Sequence, residues 1–241
     1  HRIGGKNLDD PFKGLHSVGF NLFKIQILFI KYFFKILSLD DIQSGKVNNK
    51  INLFITFDDV PSNSIQAFNW LNKKKIPFTI CPNISIIENK YAIGDKIRFI
   101  KKFLDKETIE IKFKDRLNKW EFNLFKKIGL KKFYKSYEIN QLNFNKIFNE
   151  FFKEFEKEFE KFKINKNYLN WKDILDLSKI CSVASHGKNH DNYFYLDYDK
   201  IYYEMETSKK IFNSNLNKDI KIFAVPYGAY NQNLGIMLNL A

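Results

Sequence analysis

Three short polar runs carry the residue types that could do chemistry: Asp58-Asp59, the segment from His186 to His190, and Pro226-Tyr227-Gly228. Adjacent carboxylates in a dry site repel unless a cation or proton lies between them, so one can bind a metal while the other acts as a base. The chain has four His, and two of them stand four apart as His186 and His190. That spacing lets both imidazoles reach one ion if the intervening turn is helical. Two neutral imidazoles and one carboxylate make a three-ligand site with positions left open for water. The same donor set can hold Fe(II) for oxygen chemistry. Taken singly, an Asp-Asp pair is an ordinary turn or cap, and a His at a strand end is ordinarily structural. Their conjunction carries the argument.

The elements that must position these runs are strands. Residues 51–57 form a compact β-rich run that ends at Asp58-Asp59 and Pro61, which predicts a buried strand running into a turn. A helix follows, capped by Ser62 or Asn63, with Ile65, Phe68 and Leu71 inward and Lys73 to Lys75 at its negative end. Residues 76–81 read as the next strand, completing a βαβ unit and implying a parallel sheet. A short helix with Ile174, Leu175 and Leu177 leads to a strand over 180–185 that stops at His186. A helix over 199–213 and a strand over 221–225 complete the pattern, the latter ending at the Pro226 turn. In parallel α/β barrels, active sites gather at the carboxyl ends of strands, so the three runs can converge.

Between these parts, residues 84–170 turn helical and strongly charged, which reads as an insertion. Phe148, Phe151, Phe152, Phe155, Phe159 and Phe162 recur at three- and four-residue spacing, predicting one helix face packed on the barrel. Lys and Asn in residues 18–37 interrupt the most apolar stretch and argue for an amphipathic helix over a membrane span.

With 241 residues and 44% hydrophobic content, one domain with a single large core is the expectation. The net charge of +13 is spread over lysines that often sit beside Glu, which points to a solvated basic face and away from nucleic acid. Cys81 and Cys181 edge apolar runs and read as free buried thiols.

Thr56-Phe57-Asp58-Asp59, then Ser185-His186-Gly187-Lys188-Asn189-His190, then Phe223-Ala224-Val225-Pro226-Tyr227-Gly228 resemble the first three motifs of the polysaccharide deacetylases, the NodB-like carbohydrate esterases. Residues 1–3 and 20–42 resemble the region before the first motif, and Trp171-Lys172-Asp173-Ile174 the helix before the second. The resemblance implies Asp58 as general base, and Asp59, His186 and His190 as ligands of a divalent metal, zinc in the first instance. It implies that the backbone N–H of Tyr227 helps hold the oxyanion, and that the products are acetate and an amino sugar. The implied fold is α/β: a distorted (β/α) barrel of parallel strands, open to being incomplete at both ends, with the helical insertion. The implied substrate class is an N-acetylated, or less often O-acetylated, sugar of a bacterial surface glycan or its precursor. A cytoplasmic setting is the expectation for the segment as it stands.

Two departures from the family pattern are visible. Ala224 stands where many members place an Arg that pairs with the base. The family's late motifs, with a histidine as general acid, fall beyond Gly228, and the remaining residues contain no His. His16, ahead of the first motif, reads as a surface or cap residue. A non-catalytic carbohydrate-binding relative and a mononuclear iron enzyme are the competing readings. Retention of both aspartates and both histidines favours hydrolysis.

Overall fold

The computed structural model describes residues 2–3, 17–46, 51–89, 92–134, 136, 139–161 and 168–235. His1, His16 and Phe162 lie outside the described residues.

The stretch expected as one amphipathic helix over 18–37 is two elements. A helix spans Phe20–Phe33 and turns Phe23 and Ile27 inward. Phe34 then takes an extended backbone, and a strand follows at Lys35–Leu37. The strand wins because it gains a ladder: it pairs in parallel with Asn52–Phe54, setting Ile36 beside Leu53 and Leu37 beside Phe54. Among the described residues, no helix is long and apolar enough to cross a membrane.

The run over 51–57 is likewise broken, at Ile55. Its first part pairs with Lys35–Leu37, whereas its second, Thr56–Asp58, pairs in parallel with Thr79–Cys81 on the other side. Thr79–Cys81 in turn pairs with Ser182–Val183. The predicted βαβ unit is present: Thr56–Asp58, the helix Ile65–Lys73 and Thr79–Cys81 follow one another. A 3-10 turn over Ser62–Ser64 opens that helix, and Ala67, Phe68 and Leu71 are its buried residues.

The fold is therefore α/β with parallel strands and rich in helix, but a closed barrel is not what the described residues form. Their strands fall into parallel groups of two, two and three. The strand expected over 221–225 contributes a single parallel bridge, Ser185 to Phe223. Ser185 donates to the Ile222 carbonyl and receives from the Ala224 N–H, and the pairing stops at Pro226, which has no N–H to continue it.

Two large apolar clusters result. The first gathers Phe57, Phe68, Ile80, Ile84, Leu169, Ile174, Val183 and Phe212 around the strands. The second is built within residues 97–159 from Phe99, Phe113, Phe125, Phe133, Phe144, Phe148, Phe151, Phe152 and Phe159. The phenylalanine face read as packing on the barrel thus makes a core of its own, with helices of the insertion as its walls. It is also not one helix: Gln141–Phe152 gives way to a 3-10 turn at Lys153–Phe155 and a short helix at Glu156–Glu160. The two bodies are stitched together by a bridge between Pro61 and Tyr168, and by Tyr168, whose hydroxyl donates to Asp95 Oδ2 at 2.8 Å.

Candidate metal centre

Asp58 ends the ladder opposite Cys81, and the chain then reverses direction sharply. The Val60 N–H donates to the Asp58 carbonyl at 2.7 Å, and both Asp59 and Val60 take left-handed backbone, with φ of 58° and 43°. This is costly for residues with a Cβ, above all for β-branched Val. Complete burial of Val60, at 1% exposure, holds the turn in place.

The second run leaves the strand region through a different turn from the one expected. Residues 186–190 are not helical; Gly187 has φ of 81° and His190 of 59°. A Cβ at Gly187 would lie 3.2 Å from the Tyr193 hydroxyl and 3.4 Å from Glu204 Oε2, so glycine is needed for both conformation and space. Two buried side chains hold this turn. Asn83 donates to the carbonyls of His186 and Gly187 at 2.7 and 2.9 Å. Glu204 Oε2 accepts the N–H groups of Lys188 and Asn189 at 3.1 and 2.9 Å. Burial pushes the Glu204 carboxyl above its ordinary range.

The turn folds the two imidazoles toward Asp59. His190 Nε2 stands 3.2 Å and His186 Nε2 3.9 Å from Asp59 Oδ1, and the ring centroids of the two histidines are 4.9 Å apart. His186 Nδ1 lies 2.8 Å from the Ala224 carbonyl. A carbonyl only accepts, so Nδ1 carries the proton, and in the neutral ring Nε2 presents a bare lone pair to the carboxylate. Asp59 Oδ1 is itself buried without a hydrogen bond of usable geometry among the described residues.

Lone pairs facing one another in a buried space repel unless a cation sits between them. Burial works to raise the Asp59 carboxyl, yet the His190 and His186 imidazoles hold it below the ordinary carboxylate range. Burial works to lower the His190 imidazole, and Asp59 outweighs it and raises it. Burial and then His190 push His186 down. One atom from each of the three residues can be chosen so that all lie within 4.8 Å of one another. A tetrahedral ion with bonds near 2.1 Å would separate its ligands by about 3.4 Å, which the two measured separations bracket. The donor set therefore fits a divalent metal.

Asp58 and Tyr227 flank this trio in one cleft of about 860 Å³. Tyr227, at φ of 61°, sets its ring 4.9 Å from that of His190. Several lining residues were not singled out from the sequence. Asp191 shares the cleft, and burial pushes its carboxyl up. Lys96, Arg98, Tyr134 and Asn149 come from the insertion, which forms one wall of the cleft. Residues 186–191 signal Asp191 by adjacency; nothing in the sequence marks Tyr134. Cys81 and Cys181 are both free, and burial raises the Cys81 thiol too far for a thiolate role.

The family model for polysaccharide deacetylase matches residues 142–240, the part that holds both histidines and the Pro226 turn. Over that segment the chain is similar to the polysaccharide deacetylases. Asp58 and Asp59 lie outside the matched segment, and the geometry brings them to the same site as both histidines. Solved structures agree on the fold. The Streptococcus pyogenes deacetylase PplD in complex with acetate has a TM-score of 0.59 at 16% identity, over 100% of this chain and 77% of its own. IcaB from Ammonifex degensii gives 0.59 at 12% identity with the same coverages. The BpsB deacetylase domain from Bordetella bronchiseptica gives 0.51 at 12%, over 90% of this chain and 73% of that one. No curated protein sequence matches the chain.

Proposed function

We propose that the chain removes N-acetyl groups, or less often O-acetyl groups, from a sugar of a bacterial surface glycan or its precursor, using a divalent metal, zinc in the first instance. The observation that carries this reading is the trio of Asp59, His186 and His190 around one point, with a further carboxylate, Asp58, beside it in an open cleft. A bound divalent ion would supply polarisation of the acetyl carbonyl and of a water.

The residues of the chain divide the remaining work. His186 is oriented by its Nδ1–H to the Ala224 carbonyl, so that Nε2 faces inward. His190 and Asp59 complete the ligand set. Asp58 takes the proton from the attacking water, since it is the carboxylate left over once Asp59 is engaged, and returns it to the sugar nitrogen or oxygen as the bond from that atom to the acetyl carbon breaks. The backbone N–H of Tyr227 donates to the oxyanion that forms on the acetyl carbon. The resemblance supports the roles of base, ligands and oxyanion donor.

Exchanging the two carboxylates separately tests the assignment. Asp58→Asn is expected to retain zinc but lose about 10² to 10⁴ in acetate release, because an amide cannot accept the proton. Asp59→Ala, His186→Ala and His190→Ala are each expected to lose zinc and activity together, with partial recovery in excess metal. Metal content by mass spectrometry beside acetate release from an N-acetylglucosamine oligosaccharide reads both. Zinc-free Asp58→Asn, or zinc-replete but inactive Asp59→Ala, overturns the division of roles.

A further inference from the structure

Tyr134 ends the helical stretch Lys119–Tyr134 and is buried in the insertion, at 4% exposure, with its ring 6.3 Å from Phe144. It is nonetheless a cleft residue. Its hydroxyl hydrogen-bonds to the hydroxyl of Tyr227, and the two rings meet edge to face at 6.5 Å. Tyr227 in turn lies edge to face on His190 at 4.9 Å. A continuous contact thus runs from the phenylalanine core of the insertion to a residue of the metal trio.

Tyr227 needs such support. Its backbone is left-handed, a conformation that a residue with a Cβ disfavours, and its side chain is 37% exposed. The turn closes its own backbone, with the Gly228 N–H donating to the Val225 carbonyl at 3.1 Å and the Ala229 N–H to the Pro226 carbonyl at 3.4 Å, but these bonds do not reach the Tyr227 ring. Tyr134 reaches it from a body packed on its own core and supplies the fixed end.

We propose that Tyr134 is a positioning residue for hydrolysis: its hydroxyl holds the Tyr227 phenol, which fixes the Pro226–Gly228 turn and the ring against His190. This rests on the hydrolytic reading above. The insertion is then part of the machinery of the site as well as a wall of the cleft. Misplacing a group by a fraction of an ångström affects the reaction step more than ground-state binding.

The experiment compares zinc-loaded wild type, Tyr134→Phe, Tyr227→Phe and the double variant, with Phe148→Leu as a variant of the same core that lines no part of the cleft. Tyr134→Phe keeps the ring and removes only the hydroxyl. Expected for it is a fall in kcat of about tenfold with KM and zinc content unchanged. The double variant should be no worse than the worse single one, because both remove one bond. Phe148→Leu should leave kcat close to wild type. In parallel, the ring resonances of His190 should shift in Tyr134→Phe and stay put in Phe148→Leu. An unchanged kcat in Tyr134→Phe, or losses that multiply in the double variant, would overturn the proposal. If wild-type protein loaded with zinc releases no acetate, the hydrolytic reading fails, and the His190 resonances still decide: their constancy in Tyr134→Phe sinks the positioning role.

Discussion

The strand-bearing part and the helical insertion bury their apolar residues by different routes. In the first, segments far apart in the chain meet through parallel pairing: Phe57 beside Ile80, and Ile80 beside Val183. Burial there is inseparable from bringing the polar ends of those segments together. In the second, aromatic residues at helical spacing meet mainly one another: Phe113 stacks near Phe125 at 5.1 Å, and Phe148 near Phe152 at 6.0 Å. That core contains none of Asp58, Asp59, His186 or His190. One region therefore makes the site, and the other stabilises itself and lends the site a wall.

Metal removal probes this contrast most severely. A chelator is expected to abolish acetate release while leaving the helical circular dichroism nearly intact, because the helices of residues 93–160 hold no ligand. Broad loss of helicity on chelation would show that the two regions fold as one unit with the ion. Next in size is Phe148→Ala. The side chain is fully buried, and its removal should cost about 3–5 kcal/mol, read as early proteolysis within residues 93–160 during mild heating. Cleavage first among the strands would contradict a separate core. Smallest is Glu204→Ala, which removes the acceptor for two N–H groups of the histidine turn and should weaken zinc binding about tenfold. Glu204→Gln, which can still accept, should restore most of that affinity in a competition titration. Equal losses in the two variants would mean that the carboxylate charge, not the acceptor, supports the turn.

What could be read from the sequence differs between the regions for the same physical reason. The order strand, Asp58-Asp59, helix, strand was legible because Thr, Phe and Ile alternate into Pro61, and the helix over 198–216 because Ile201 and Phe212 share its buried face. The gathering of Asp59, His186 and His190 followed from placing each run at a strand end. The break at Ile55 was not legible, since it comes from having different partners on the two sides. Neither was the shape of the histidine turn: Gly187 is forced open by Tyr193 and Glu204, contacts the local spacing does not contain. Asn83 clamps a carbonyl more than a hundred residues away, and Tyr134 reaches Tyr227 across 93 residues. Such partners are set by the tertiary fold. The periodic phenylalanines revealed a buried face but not what it would be buried against.

Asp59, His190 and Tyr227 all occupy left-handed backbone, at φ of 58°, 59° and 61°. Each such residue sacrifices about 1–2 kcal/mol against an ordinary conformation. Glycine or asparagine would relax that tension, yet each would discard the side chain the site requires. Laboratory evolution that selects for heat resistance alone should therefore drift toward Gly or Asn at these positions and yield hardier, inert proteins.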